Sequence, residues 1–271
     1  MKYSIITVNY NNKEGLLRTI ISVTSQTYHD YEFIIIDGGS TDGSYDLLKE
    51  YNDKISYWVS EPDGGIYQGM NKGIKIASGD YLNFMNSGDC FYDKFVLQTV
   101  ANYNYDGDII IGRDYHFDAI KQKGHASIQP SRLSMITFFT STLDHQSSFI
   151  KKSLFENTKY REDLRLVSDW VFFLEKVVIE DRKVQFIPNI ICERELCGIT
   201  WKQYDVNLSE RDNYLHNLLP IGVYNDYLTL TRLDKESLYR LFYFCEHSTP
   251  RKLLTICIKI IFRLTKILKL A

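Results

Sequence analysis

The sequence predicts an α/β fold with a mainly parallel β-sheet and a helical C-terminal extension. Three observations predict it. Short β-branched runs alternate with stretches of helical periodicity across residues 3–85. The connections between them are short, as right-handed βαβ crossovers require. Each β-branched run ends in a polar or glycine-rich cluster: Thr7/Asn9, Asp37, Asp63, and Asn86-Ser87-Gly88-Asp89. Parallel sheets bind ligands outside the carboxyl ends of their strands, so the four clusters point to one shared site.

The elements follow in order. Tyr3–Val8 reads as a buried strand stopped by Asn9-Tyr10-Asn11-Asn12. Gly15–Gln26 has helical spacing, with Leu16, Leu17, Ile20, Ile21 and Val23 on one stripe. Glu32–Ile36 is a second strand, and Thr41–Tyr51 a helix with Ser40 or Thr41 as its N-cap. Ile55–Val59 is a third strand, broken by Glu61-Pro62-Asp63-Gly64-Gly65; Ile66–Ala77 is a helix and Tyr81–Met85 a fourth strand. Beyond Asp89 the pattern weakens. Asp108–Ile111 reads as a strand, 113–145 as an irregular cover over a cleft, and Ser168–Ile179 as a helix. Val184–Ile187 reads as a strand, and 203–219 and 235–246 as helices.

Composition narrows the class. The chain has 271 residues, 44% hydrophobic and 24% charged, which suits one large globular domain and excludes disordered or collagenous chains. Its formal net charge of −2 gives no field for nucleic acid. Five cysteines without close pairing argue against a disulfide framework, and Cys192 and Cys197 lack zinc-ligand spacing. The expected setting is the cytosol, because the N-terminus lacks the apolar core of a signal peptide and no apolar run reaches the length of a membrane span.

The turn Asp37-Gly38-Gly39-Ser40-Thr41-Asp42-Gly43 allows a ligand to approach the backbone closely, and equally describes a plain strand-to-helix turn with a capping Asp. It matches neither a P-loop nor a dinucleotide fingerprint. Asp89, at the end of the fourth strand, is a carboxylate that can hold a hard divalent cation together with phosphate oxygens.

Taken in order, Thr7-Val8-Asn9, the Asp37–Gly43 turn, Glu61-Pro62-Asp63-Gly64-Gly65-Ile66-Tyr67, Met70-Asn71-Lys72-Gly73-Ile74 and Asn86-Ser87-Gly88-Asp89 resemble a family 2 glycosyltransferase of the bacterial polysaccharide type. The likeness is tight over 1–112 and loose through His145-Gln146, Ser168-Asp169-Trp170 and Gly198-Ile199-Thr200. It implies a Rossmann-like GT-A fold and an inverting hexosyl- or N-acetylhexosaminyl-transferase. The donor would be a nucleotide-diphosphate-sugar, a UDP-sugar first of all. The acceptor would be a polyprenyl-diphosphate-linked glycan of O-antigen, capsule or exopolysaccharide synthesis. Carried residue by residue, Thr7, Asn9, Asp37, Asp63 and Asn86 would contact the donor. Asp89 would hold Mg²⁺ or Mn²⁺, although Asn86 and Gly88 stand where many members carry aspartate. Asp169 would be the catalytic base, against the plainer reading of an acid in a helix's first turn. His145 would contact acceptor or phosphate, or else is a satisfied core histidine.

On this reading, 1–112 is the donor-binding half and 113–200 the acceptor and catalytic half of the same domain. Residues 201–250 form a helical extension and 251–271 a basic amphipathic helix. On a helical wheel Lys252, Lys259, Arg263 and Lys266 face away from a broad stripe that runs from Leu253 to Leu268. The last 21 residues hold six basic and no acidic side chains, whereas the other 250 hold 26 basic and 34 acidic. Such a helix suits an anionic membrane surface, here the inner face of the cell membrane. It equally suits docking on the protein's own core or on a second subunit of a homo-oligomer. Two other functions fit the same fold: a catalytically idle nucleotide-sugar scaffold or sensor, and a nucleotidyltransferase.

Overall fold

The computed structural model describes residues 2–103, 105–118, 123–130, 132–195, 203–235 and 259–260. The chain divides into two compact units, Met1–Leu215 and His216–Ala271. The first carries a nine-stranded sheet of order β3 (Tyr57–Ser60), β2 (Tyr31–Asp37), β1 (Tyr3–Asn9), β4 (Tyr81–Phe84), β8 (Ser148–Lys151), β6 (Ile109–Asp118), β9 (Val184–Glu195), β5 (Cys90–Phe91), with β7 (Lys123–Ala126) paired to β6. Its N-terminal parallel part is β1 (Tyr3–Asn9), β2 (Tyr31–Asp37), β3 (Tyr57–Ser60) and β4 (Tyr81–Phe84). The helices between them are α1 (Lys13–Thr24), α2 (Ser44–Glu50) and α3 (Ile66–Ile76).

Strand β1 is buried at every position because both faces are covered. Tyr3 and Ile5 join Leu16, Ile20 and Val23 of α1 in one core with Phe33 and Ile35. Ile6 and Val8 point to α3, which comes close only because it presents glycines. A Cβ on Gly69 would lie 2.2 Å from Val8 Cγ1, and one on Gly73 2.5 Å from Ile6 Cγ2. Gly69→Ala is therefore expected to cost roughly 1–3 kcal/mol through overpacking, read as a lowered thermal midpoint. An unchanged melt would contradict this packing.

The helix expected from Thr41 begins at Ser44 instead. Asp42 Oδ1 accepts from Ser44 N at 3.1 Å, and Gly43, at φ +91°, takes the left-handed turn just before the helix. The stretch expected to be irregular holds β7 (Lys123–Ala126), α5 (Met135–Thr140) and most of β6 (Ile109–Asp118). Strand β9 (Val184–Glu195) also runs far beyond Ile187. Its ladder with β6 shifts register between Ile111 and Asp114, so Pro188 falls in an irregularity where its missing N–H is tolerated. β5 (Cys90–Phe91) pairs antiparallel with β9, and β8 (Ser148–Lys151) antiparallel with β4 and β6, whereas β6 and β9 run parallel.

α4 (Val96–Asn102) packs on the α1 side. The helix expected at Ser168–Ile179 is α6 (Ser168–Leu174), followed by a π-turn over Glu175–Ile179. α7 spans Tyr204–Leu218. Within the first unit its Glu210 accepts from the backbone N–H groups of Arg165 and Leu166 at 2.7 and 2.9 Å. The second unit contains α8 (Ile221–Lys235), within the helical extension expected over 201–250 but between the helices placed at 203–219 and 235–246. Gly198-Ile199-Thr200, Cys197, the helix expected beyond Lys235 and, apart from Lys259 and Ile260, the basic helix of 251–271 lie outside the described residues. Among the described residues no helix is long and apolar enough to cross a membrane, and Cys90 and Cys192 are free thiols.

Candidate active site

The ends of β1 and β2 are joined through Asp37. Its buried carboxylate accepts from Asn9 Nδ2 at 2.7 Å, Ser40 Oγ at 2.6 Å, Ser40 N at 2.9 Å and Ser60 Oγ at 2.6 Å. Burial alone would raise this carboxyl; the bonds from Ser40, Ser60 and Asn9 overcome it and hold the group below the usual carboxylate range. Asp63 stands beside the same turn. A Cβ on Gly38 would lie 3.2 Å from Asp63 Oδ1, and that oxygen accepts from Gly65 N at 3.0 Å. Thr7 is placed beneath the site: fully buried, it donates its hydroxyl to Met85 O at 2.6 Å. It anchors the end of β4.

The loop after β1 ties this turn to the end of β4. Asn11 N donates to Ser40 Oγ at 2.7 Å, and Asn12 Nδ2 to Ser87 O at 3.0 Å. Thr19 Oγ1 donates to Asp89 O at 2.7 Å and accepts from Gly88 N at 3.0 Å. Gly88 sits at φ +105°, where a side chain would strain the backbone.

From Asn86 the contacts run on to Asp169. Asn86 Nδ2 lies 3.1 Å from His145 Nε2, and His145 Nδ1 lies 2.7 Å from Asp169 Oδ2. As an amide N–H can only donate, His145 Nε2 accepts from Asn86 and Nδ1 carries the proton toward Asp169. The other Asp169 oxygen accepts from Tyr67 Oη at 2.7 Å. Tyr67 lies in the first turn of α3, directly after the Asp63 loop, so the contacts close into a ring. The contacts thus gather Asp37, Asp63, Asn86 and Asp169 together, with Asp89 in the same loop as Asn86. Burial alone would raise the Asp169 carboxyl, but His145 and then Tyr67 hold it below the usual range. Burial alone would lower the His145 imidazole, but Asp169 and then Asp89 raise it. The two form a hydrogen-bonded pair, Nδ1–H to Oδ2, with the His145 tautomer fixed by Asn86.

A second group of charges flanks Asp89. Burial pushes the Asp89 carboxyl up to about 6, against the attraction of His145 and Arg194. Asp114 and His116 on β6, with Asp144 just before His145, offer three metal-ligand atoms within 4.8 Å of one another. Burial and then Asp114 push Asp144 up to about 6 as well. Arg211 of α7 lies 5.2 Å from the Trp170 ring centroid and donates to Ser141 O at 3.3 Å. Tyr67, Asp114, His116, Asp144 and Arg194 had no role in the sequence reading. Tyr67 stood inside a quoted motif.

Fold and site together define a glycosyltransferase: the model for the family described as Glycosyl transferase family 2 matches residues 4–161, and the chain belongs to that family. A Mycobacterium tuberculosis protein named as an uncharacterized glycosyltransferase is 33% identical over 205 residues, 72% of this chain and 76% of its own length. Two solved structures share the GT-A fold. S. aureus TarS 1–349 in complex with UDP-GlcNAc aligns at TM-score 0.62 and 16% identity, over 93% of this chain and 78% of that one. The chain spans 46% of the longer TarS chain. The mannosyltransferase PcManGT of Pyrobaculum calidifontis, in complex with GDP-Man and Mn²⁺, aligns at 0.57 and 11% identity, over 89% and 82%.

Proposed function

We propose that this glycosyltransferase moves a sugar, with inversion, from a UDP-sugar to a hydroxyl of a polyprenyl-diphosphate-linked glycan at the inner face of the cell membrane. The observation that carries the reading is the closed ring of contacts that gathers Asp37, Asp63, Asn86 and Asp169 around one site. The TarS complex with UDP-GlcNAc and the PcManGT complex with GDP-Man, which share the fold, support a nucleotide-sugar donor.

Asn9, Asp37 and Asp63 line the nucleoside end; Asn86 and Asp89 take the diphosphate end. Asp169 is the base. Its ionised oxygen removes the proton of the acceptor hydroxyl as that oxygen attacks the anomeric carbon. The bond from the anomeric carbon to the diphosphate breaks, and the nucleoside diphosphate leaves with its electron pair. His145 and Tyr67 aim the carboxylate. Asp89 fits a divalent ion by its chemistry: it is a hard oxygen ligand in the same loop as Asn86. Mg²⁺ or Mn²⁺ held by Asp89 and donor oxygens would offset the charge on the leaving diphosphate.

Calorimetry against a panel of UDP- and GDP-sugars, with and without Mn²⁺, tests the donor reading. One UDP-sugar should bind, and at 100 times its Kd it should add about 2.7 kcal/mol of stability. Binding by no member of the panel contradicts the reading.

Tyr67→Phe tests the base. The hydroxyl favours the ionised carboxylate, so its loss raises the Asp169 pKa. Activity disappears as pH falls through that pKa, so the acid limb of kcat/KM should move to higher pH, by about 1–2 units for a hydrogen bond to a charged group. An unmoved limb counts against Asp169.

The membrane assignment rests on the basic face of 251–271. At about 1 kcal/mol per basic group near an anionic surface, replacing Lys252, Lys259, Arg263 and Lys266 with Gln should weaken vesicle co-sedimentation by up to about 10³-fold. Unchanged co-sedimentation refutes it.

A further inference from the structure

The three ligand atoms of the Asp114–His116–Asp144 cradle are already engaged by one side chain. Arg194 Nε lies 3.0 Å from Asp114 Oδ2, and its Nη2 lies 2.8 Å from Asp144 Oδ1 and 3.1 Å from His116 Nε2. A guanidinium carries no acceptor, so His116 Nε2 must be the acceptor here, with the ring proton on Nδ1. The lone pair that a metal ion would need is therefore in use.

The ladders place the arginine. His116 pairs with Arg194 across β6 and β9, and Cys90 pairs with Glu193 across β5 and β9. Continuing that antiparallel register one step sets Asp89 beside Arg194. The guanidinium thus stands among three carboxylates, those of Asp89, Asp114 and Asp144.

Asp114 is the second, independent observation. The residue is fully buried, yet neither carboxylate oxygen accepts a hydrogen bond of adequate geometry, and Arg194 Nε donates none. The two groups meet by charge and proximity. A buried carboxylate without hydrogen bonds demands a cation at close range. Such a pocket accepts either a guanidinium or a hard divalent ion, and the two exclude each other because they use the same atoms.

We propose that Arg194 is the built-in cation of this cradle, standing where a divalent ion would otherwise bind and supplying a fixed positive charge beside Asp89. The arginine keeps the cradle closed to metal. A divalent ion in this protein is then confined to Asp89 and the donor. The claim about the cradle does not depend on which donor is used, so it is tested without one.

Mn²⁺ is titrated onto the full chain, free of nucleotide, by electron paramagnetic resonance. Folding of each variant is checked by thermal melt. Arg194→Met should gain one bound Mn²⁺ per chain, and adding Asp114→Asn to it should remove that ion. In the arginine-bearing protein, Asp114→Asn and Asp144→Asn should leave the Mn²⁺ titration unchanged. The proposal is overturned if folded Arg194→Met titrates like wild type, or if either Asn variant removes an ion while Arg194 is present. Should Arg194→Met fail to fold, the comparison of wild type with Asp144→Asn decides alone, because Asp144 is partly exposed and its loss leaves Arg194 paired with Asp114. A failed donor screen with these metal results intact would count against the donor reading only.

Discussion

Asp169→Asn is expected to lower turnover by about 10²–10⁴-fold, the usual contribution of a positioned general base, while UDP-sugar binding survives. The substitution keeps the shape and removes the charge and the basicity. Its amide oxygen can still accept from Tyr67, and its NH2 then faces His145, which must take the other tautomer to accept from it. His145 loses the carboxylate that raises its pKa, so the imidazole becomes neutral at lower pH. A plain first-turn acid of a helix would behave otherwise, losing about 0.3–1 kcal/mol of stability with turnover preserved. Product formation under saturating donor, beside a calorimetric donor titration, separates the two. Near-normal turnover in the variant removes Asp169 from the chemistry.

Asp37→Ala carries the second large effect. Its carboxylate receives four donors in a fully buried position. Truncation strands the hydroxyls of Ser40 and Ser60 and the amide of Asn9. Breaking a buried charged network costs on the order of 3–5 kcal/mol, and the β1 and β2 ends lose the tie that forms the nucleoside end of the site. Donor affinity should fall with stability. The pH dependence has a definite sign. The folded-state pKa of Asp37 lies below its unfolded value of roughly 3.9. The stability it confers is therefore complete above about pH 4 and is lost as pH falls through the folded value. Urea melts of wild type and Asp37→Asn should differ most near neutrality and converge in acid. A gap that widens in acid would show that the carboxylate is not held in its ionised form.

The parallel half of the molecule was legible because its physics is local. A strand covered on both faces must be a continuous apolar run, as Ile5, Ile6 and Val8 or Phe33–Ile36 are. Its turn into a helix needs glycine or Asx residues, which mark the strand ends directly. The second half hid its strands. β6 and β9 carry the charged residues Asp114, His116 and Arg194 in place of a clean alternation, and Pro188 reads as a stop although it lies in a register shift. The Asp169–His145 pair joins a helix start to a short turn 24 residues away, a contact without local spacing. Tyr67 was hidden for the opposite reason: in a helix of strong amphipathic pattern an aromatic side chain reads as core. It is indeed buried, with only its hydroxyl committed to Asp169.

A crystal structure of the full chain with UDP tests the central claim most directly. Density for the base and ribose is expected against Asn9, Asp37 and Asp63, with the diphosphate directed to Asn86 and Asp89 and the Asp169 carboxylate left open to an incoming hydroxyl. Nucleotide bound away from the Asp37 turn, or with its diphosphate turned away from Asp89, would contradict it.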